Sequence, residues 1–215
     1  MKRLTTALVA ALAVPTLAFA QADVQSGFTS VALDTATLSA AAGLDLSSVS
    51  PGIGAGTLPG SVAFPINARD AATLPTTFTY TPNDFPTGPF SGSIEHTGSV
   101  FFNADAVEVG NFTIGFDAAR AVGAASGFYV ESTTGVAAIL FDTSVVALDS
   151  ASESQLDLTV DLLVSPEFAS FLGDTALTGA DVGDARILAA IPEPTSLSLL
   201  GVLGGVACLA RRIRS

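Results

Sequence analysis

Scarcity is the first thing to read in this chain of 215 residues. It has one cysteine, one histidine, one methionine, two tyrosines and no tryptophan. Zinc sites draw on several His or Cys ligands, so one of each excludes a catalytic zinc of the usual kind. Cys208 lies in an apolar stretch near the C-terminus, which leaves residues 21–191 without a disulfide or a thiol nucleophile. Lys2 is the sole lysine, so Schiff-base chemistry and Lys–Asn isopeptide stapling are excluded from the same region. A Ser-His-Asp triad would have to be gathered from distant residues around His96. No Gly-x-Ser-x-Gly elbow accompanies it, and His96 reads as a surface histidine in a strand. Sugar rings stack on amphipathic aromatics, and here only Tyr80 and Tyr129 are of that kind. Phe85 and Phe90, around the Pro-rich stretch Pro82–Pro89, are the phenylalanines placed in loops; the others read as core.

Positive charge is the next shortage. Of eight basic residues, Lys2, Arg3, Arg211, Arg212 and Arg214 lie at the two ends. Between residues 21 and 191 there are Arg69, Arg120 and Arg186 against nineteen of the twenty acids, sixteen net negative charges. Nucleic acids and anionic lipids are held by basic side chains, so neither is an expected partner of this region.

What is present is sharpest at the ends. Lys2 and Arg3 precede an apolar stretch, Leu4 to Phe19, broken at Pro15, and Ala18-Phe19-Ala20 supplies a small-x-small exit. That is the pattern of a secretory signal peptide cut after Ala20. Near the other end, Pro192-Glu193-Pro194 is a stiff polar break before an apolar run from Thr195 to Ala210 and the basic stop Arg211, Arg212, Arg214. Sixteen residues span about 24 Å as a helix, against about 30 Å of hydrocarbon. The run is therefore a marginal transmembrane segment. Basic residues collect on cytoplasmic flanks, so both ends start inside and the acidic middle is pushed out. Three segments follow: 1–20 signal peptide, 21–191 exported domain, 192–215 tail.

The tail resembles the PEP-CTERM sorting signal, on Pro192, Glu193, Pro194, the run Thr195–Ala210, and Arg211, Arg212 and Arg214. The resemblance covers the tail only. It implies recognition and cleavage near the motif by an exosortase, a membrane-embedded cysteine transpeptidase-like enzyme. It also implies a bacterial source that makes exopolysaccharide, an intermediate anchored in the inner membrane, and delivery to the envelope surface or extracellular matrix. Signal peptidase and exosortase are thus the expected processing partners, and exopolysaccharide an expected neighbour.

The middle of the chain reads as all-β. Alternation puts Leu156, Leu158, Val160 and Leu162 on one face of 154–162, and Phe112, Ile114 and Phe116 on one face of 111–117. Further strands are expected over 28–33, 62–66, 76–81, 93–102, 106–109, 127–131, 136–141 and 182–189, separated by Gly and Pro signals. Their spacing suggests a single antiparallel β-sandwich, jelly-roll-like. Pro166 to Leu172 is the best helical turn, with Ser165 as N-cap. Residues 40–60, rich in Gly, Ser and Pro, read as a long loop or irregular edge.

Three chemistries stay open. Calcium takes oxygen ligands on loops: Asp174, Asp181 and Asp184 flank a glycine-containing turn, with Asn83 and Asp84 in another, although a solvated acidic face is the plainer reading and no cofactor is expected. Paired carboxylates are all that a glycosidase needs, but no motif selects a pair. Asn111-Phe112-Thr113 fits a glycosylation sequon in a strand. The expectation is a non-enzymatic exported surface or matrix protein. A lectin-like carbohydrate-binding module is the alternative, and a carboxylate-dependent hydrolase comes third.

Overall fold

A computed structural model describes residues 21–191. The signal-peptide residues Ala18 and Ala20, the sorting residues Pro192, Glu193 and Pro194, the arginines 211, 212 and 214, and Cys208 all lie outside the described residues.

The strands are β1 (Ala22–Asp23), β2 (Ser26–Leu33), β3 (Leu46–Val49), β4 (Gly54–Ala55), β5 (Val62–Pro65), β6 (Thr79–Tyr80), β7 (Phe90–Ser91), β8 (Ile94–Glu95), β9 (Ser99–Phe102), β10 (Val107–Phe116), β11 (Phe128–Gly135), β12 (Ala138–Ala151), β13 (Gln155–Val164) and β14 (Asp181–Ala190). The helices are α1 (Thr35–Ala42) and α2 (Pro166–Phe171). All pairings are antiparallel. The all-β expectation holds, but the two-sheet jelly roll gives way to a different arrangement. One sheet runs β3-β9-β10-β11-β12-β13-β14-β2-β5-β4, with β8 added beside β10, and a small sheet β1-β6-β7 accompanies it. Strands β9 to β14 follow one another as neighbours, some through tight turns and others through longer segments such as 165–180, which holds α2, so the chain meanders rather than crossing between faces.

A twisted sheet of this width curls. Here it curls into a half-barrel whose two margins approach each other. β3 is one margin and β4 the other, yet only residues 50–53 separate them. The margins also touch directly, at an isolated bridge between Ile66, just past β5, and His96, just past β8, supported by Asn67 N–H donating to the Glu95 carbonyl at 2.7 Å. The segment 40–60 is thus an irregular edge rather than a plain loop.

The period-two faces determine what lies inside. Leu156, Leu158, Val160 and Leu162 are all at most 5% exposed, and Ile187, Leu140, Phe64 and Val100 join them. Phe112 meets Phe64 edge-on at 5.0 Å. One end of the interior is filled by rings: Phe85 lies within 6.1 Å of Phe78, Tyr80, Phe90 and Phe128, carried there by the turns around the Pro-rich stretch. Phe85 is therefore a buried loop residue, not a surface one. Phe116, edge-on to Phe90 at 4.9 Å, remains 40% exposed at the rim. An apolar cavity of about 70 Å³ lies within the curl, a packing defect of the kind that stays dry when its walls are carbon.

Helix α2 starts as expected: the Ser165 hydroxyl accepts from Phe168 N–H at 3.0 Å, and Pro166 occupies the first turn. Helix α1 departs from expectation. Asp34 caps it by accepting from Ala36 and Thr37 N–H, and Gly43 closes it in the left-handed region.

Candidate functional site

Because His96 lies where the sheet margins meet, it is the first residue to place. It is 1% exposed, so the expectation of a surface histidine is corrected. Its Nδ1 is 3.1 Å from the Phe112 carbonyl, which can only accept, so Nδ1 carries the proton. Nε2 then accepts from the Thr29 hydroxyl at 2.8 Å. The ring ties β2 on one side to β10 on the other. Burial pushes its pKa down to about 4, partly opposed by the Phe112 contact. Both nitrogens are committed, so the imidazole is a neutral staple rather than a base facing a substrate.

Glu95 beside it is a buried carboxylate held by two hydroxyls, Ser93 at 2.6 Å and Thr113 at 2.6 Å. Sequence reasoning missed this pair. The alternation of Ile94-Glu95-His96 would expose Glu95 if Ile94 and His96 point inward. The sharp turn at Gly98 (φ 124°) and the short β8 defeat that inference.

Three cations serve the region between residues 21 and 191, and each is matched to acids. Arg186 forks onto Asp157 through Nε at 2.9 Å and Nη2 at 2.8 Å, which accounts for an aspartate only 6% exposed near the start of β13. Arg69 lies 3.6 Å from Asp23 and donates to the Phe78 carbonyl at 3.0 Å. Arg120 makes the largest set: Nε to Asp142 at 2.6 Å, Nη1 and Nη2 to Glu167 at 2.7 and 2.9 Å, with its guanidinium over the Tyr129 ring at 5.8 Å. The Arg120 hydrogen bonds hold the Glu167 carboxyl at about 2. This clamp joins the Asp117–Arg120 turn, β12 and α2 beside an open groove edged by Val122 and Leu163.

The calcium candidates do not come together. Asp174 accepts from Ala176 N–H at 2.9 Å as the cap of a 3₁₀ turn, and Asp181 from Gly183 N–H at 3.1 Å. Asp184 instead sits directly across from Asp161 in the β13–β14 ladder. Burial, then the charges of Asp181 and Asp184, raise the Asp161 pKa. Among the described residues no group of three His, Cys, Asp or Glu side chains is arranged to hold a metal. Asp84 accepts from the Thr87 hydroxyl at 2.9 Å within its own turn, and Asn83 N–H donates to the Ala151 carbonyl at 2.7 Å, tying that turn to the end of β12. Asn111, the sequon residue, adopts φ 48° and is bound at both ends of its amide, donating to Thr134 Oγ1 at 2.8 Å and accepting from Gly98 N–H at 3.2 Å.

Both ends of the described chain converge on the β12–β13 hairpin. Ala22 pairs with Tyr80, and the Tyr80 hydroxyl, fully buried, donates to the carbonyls of Ser152 at 2.6 Å and Gln155 at 3.2 Å. Ile191 N–H donates to the Ser154 carbonyl at 3.0 Å, and Ile191 is itself buried. Gln25 N–H donates to the Ala190 carbonyl at 3.1 Å. Among the described residues no helix is long and apolar enough to cross a membrane.

No family model and no curated protein matches the sequence. Among solved structures, the C-terminal domain of HtaA from Corynebacterium glutamicum is similar, with a TM-score of 0.50 and 15% identity over 80% of this chain and 99% of that one. At that identity the two share a fold, and the likeness extends no further.

Proposed function

We propose that this is an exported, non-enzymatic surface or matrix protein. It is delivered by the N-terminal signal peptide, held briefly by the apolar run Thr195–Ala210, and freed by an exosortase acting at Pro192-Glu193-Pro194. The observation that carries the reading is the three-part tail, stiff break, short apolar run and basic stop. The folded region supports it in two ways. Its surface is acidic with every body arginine matched to carboxylates, so nothing basic would retain it on an anionic membrane once cut. Its lone histidine is consumed in the core, which removes the most obvious general base.

In the matrix, an acidic, Ser/Thr-rich barrel would sit among anionic polysaccharide, with divalent cations bridging the two. The test is expression in an exosortase-bearing host, with mass spectrometry of the termini and fractionation. The reading expects a chain starting at Gln21, ending near the motif and recovered outside the cell. A Pro192→Ala, Glu193→Ala variant expects to stay in the inner membrane. Full-length, uncut protein in the cytosol would sink it. A polysaccharide pull-down with and without EDTA then tests the matrix role separately.

A further inference from the structure

We infer that the free edge of β12 between Thr143 and Ala151 takes up an added antiparallel strand, an extended protein segment in which apolar and basic side chains alternate. β11 pairs with β12 only as far as Asp142. Beyond it, the Thr143 carbonyl accepts from Ser126 N–H at 2.7 Å and the Ala151 carbonyl from Asn83 N–H at 2.7 Å. Those bonds show which backbone groups of β12 point away from β13. Thr143, Val145, Leu148 and Ala151 lie opposite Leu162, Val160, Leu158 and Leu156, every second residue of β13, so all four share that orientation. Among the described residues nothing outside β13 bonds the backbone of Val145 or Leu148. β13 covers the stretch from Leu162 to Leu156 in six steps, or about 20 Å. A strand of about seven residues matches that length.

The side chains ask for cover too. Leu156, Leu158, Val160 and Leu162 form the inward face of β13, each at most 5% exposed. Directly opposed residues share a face, so Val145 and Leu148 also point inward. They are nevertheless 42% and 36% exposed, and Val146, at the bulge, is 58% exposed. Where β11 does run beside β12, Leu140 and Phe141 are buried. Charge selects the occupant. Asp84, Asp149 and Glu153 are exposed around this edge, and the three arginines of residues 21–191 are matched to other acids. A second copy would bring the same acids to meet them, and bulges with an acid on the edge are devices that turn away a like edge. A strand with Lys or Arg on its outward side is attracted instead. Its apolar residues lie opposite Val145 and Leu148 and exchange N–H···O=C bonds with them.

The test uses the full chain in non-ionic detergent and the fluorophore-labelled peptide Lys-Val-Lys-Val-Lys-Val-Lys. Saturable binding is expected by anisotropy, and hydrogen exchange read by mass spectrometry should slow within residues 143–151. Two further peptides carry the same charge. One is N-methylated at its valines, whose N–H groups face Val145 and Leu148 in the inferred pairing; the other is N-methylated at its inner lysines, whose N–H groups point away from β12. The valine-methylated peptide should bind at least about tenfold more weakly, through lost backbone hydrogen bonds, and the lysine-methylated one like the parent. Equal affinity of the two methylated peptides would reduce the attraction to charge and overturn the inference. Absence of saturable binding, or protection lying outside residues 143–151, would overturn it as well. A Glu-Val peptide of the same pattern should not bind; binding equal to that of the Lys-Val peptide would remove the basic partner.

Discussion

The two ends of the barrel are held by different physics. At the terminal end the fastenings onto the β12–β13 hairpin are neutral hydrogen bonds to backbone: Tyr80 to Ser152 and Gln155, Ile191 to Ser154, Asn83 to Ala151. At the α2 end the main fastening is ionic, Arg120 between Asp142 and Glu167. Residues 21–191, with three cations for nineteen acids, have few places to put an ion pair. The chain places its largest set, two carboxylates on Arg120, at α2, and leaves the terminal end the single-acid pairs Arg69–Asp23 and Arg186–Asp157 beside its neutral bonds. Neutral fastenings are insensitive to salt and acid, and ionic ones are not.

The β2–β14 ladder connects these ends, and a glycine pins it at each. Gly27 opposes Ala189 with φ 132°, and Gly183 opposes Leu33 with φ 142°. A Cβ at Gly27 would overlap the Leu188 carbonyl oxygen, and one at Gly183 the Ala32 carbonyl oxygen. Each Gly→Ala change combines a disallowed backbone with a clash against backbone, so a loss of about 3 kcal/mol or more is expected in urea unfolding. The pair also separates the ends. Gly27→Ala should speed amide exchange at Gln25 and Ile191, whereas Gly183→Ala should speed it at Asp34, which donates to the Val182 carbonyl. Identical exchange patterns would mean that the ladder frays as one unit.

Acid acts first where the sheet margins meet. His96 has a folded pKa of about 4 against 6.5 when unfolded. The unfolded chain takes up the proton first, so this contribution is complete above pH 6.5 and is lost as pH falls toward 4, in all about 3 kcal/mol. His96→Gln should flatten the stability curve between those two values. A slope that persists in the variant would show that other groups carry it.

The far end loses its fastening at lower pH. Glu167 falls from 4.5 to about 2 in the fold, so its contribution is present above about pH 4.5 and disappears as pH drops toward 2. Arg120→Met should return the Glu167 pKa toward 4.5, read by NMR titration. It should also cost about 2 kcal/mol, less than a fully buried pair because Glu167 is 44% exposed. High salt should narrow the gap between wild type and variant, and should leave the Tyr80 and Ile191 hydrogen bonds at the terminal end unaffected.

How much of this was legible in the sequence differs along the chain. β13 and α2 could be read in detail, because a clean period of two and a Ser-Pro cap are local signals that tertiary contacts reinforced. The second half of β12, Val145 to Ala151, escaped. It carries bulges at Val145/Ala147 and Leu148/Ser150 that break alternation, and it is a strand because β13 pairs with it. The jelly-roll expectation failed for a related reason: strand spacing counts strands but says nothing of which neighbour each one pairs with. Alternation sets Asp157 opposite the Leu156–Leu162 face, and only the cross-strand Arg186 shows why it is buried. The acidic trio fared similarly, since Asp161 rather than Asp174 is the residue that register sets across from Asp184, with the charge of Asp181 also felt there.

The smallest effect belongs to the terminal end and tests whether its contacts are as neutral as described. Tyr80→Phe removes one hydroxyl that serves two carbonyls, keeps the ring within its aromatic cluster, and should cost about 1 kcal/mol. Its sign with pH is opposite to that of the far end. Burial raises the Tyr80 pKa to about 12 from 10, so its contribution is whole below pH 10 and is lost as pH rises through 12. Wild type should therefore lose stability over that alkaline interval while Tyr80→Phe does not, and the two should run parallel from pH 7 down to pH 3. A difference that grows on the acid side would place a charged partner at Tyr80 and end the contrast between a neutral fastening onto the hairpin and an ionic one at α2.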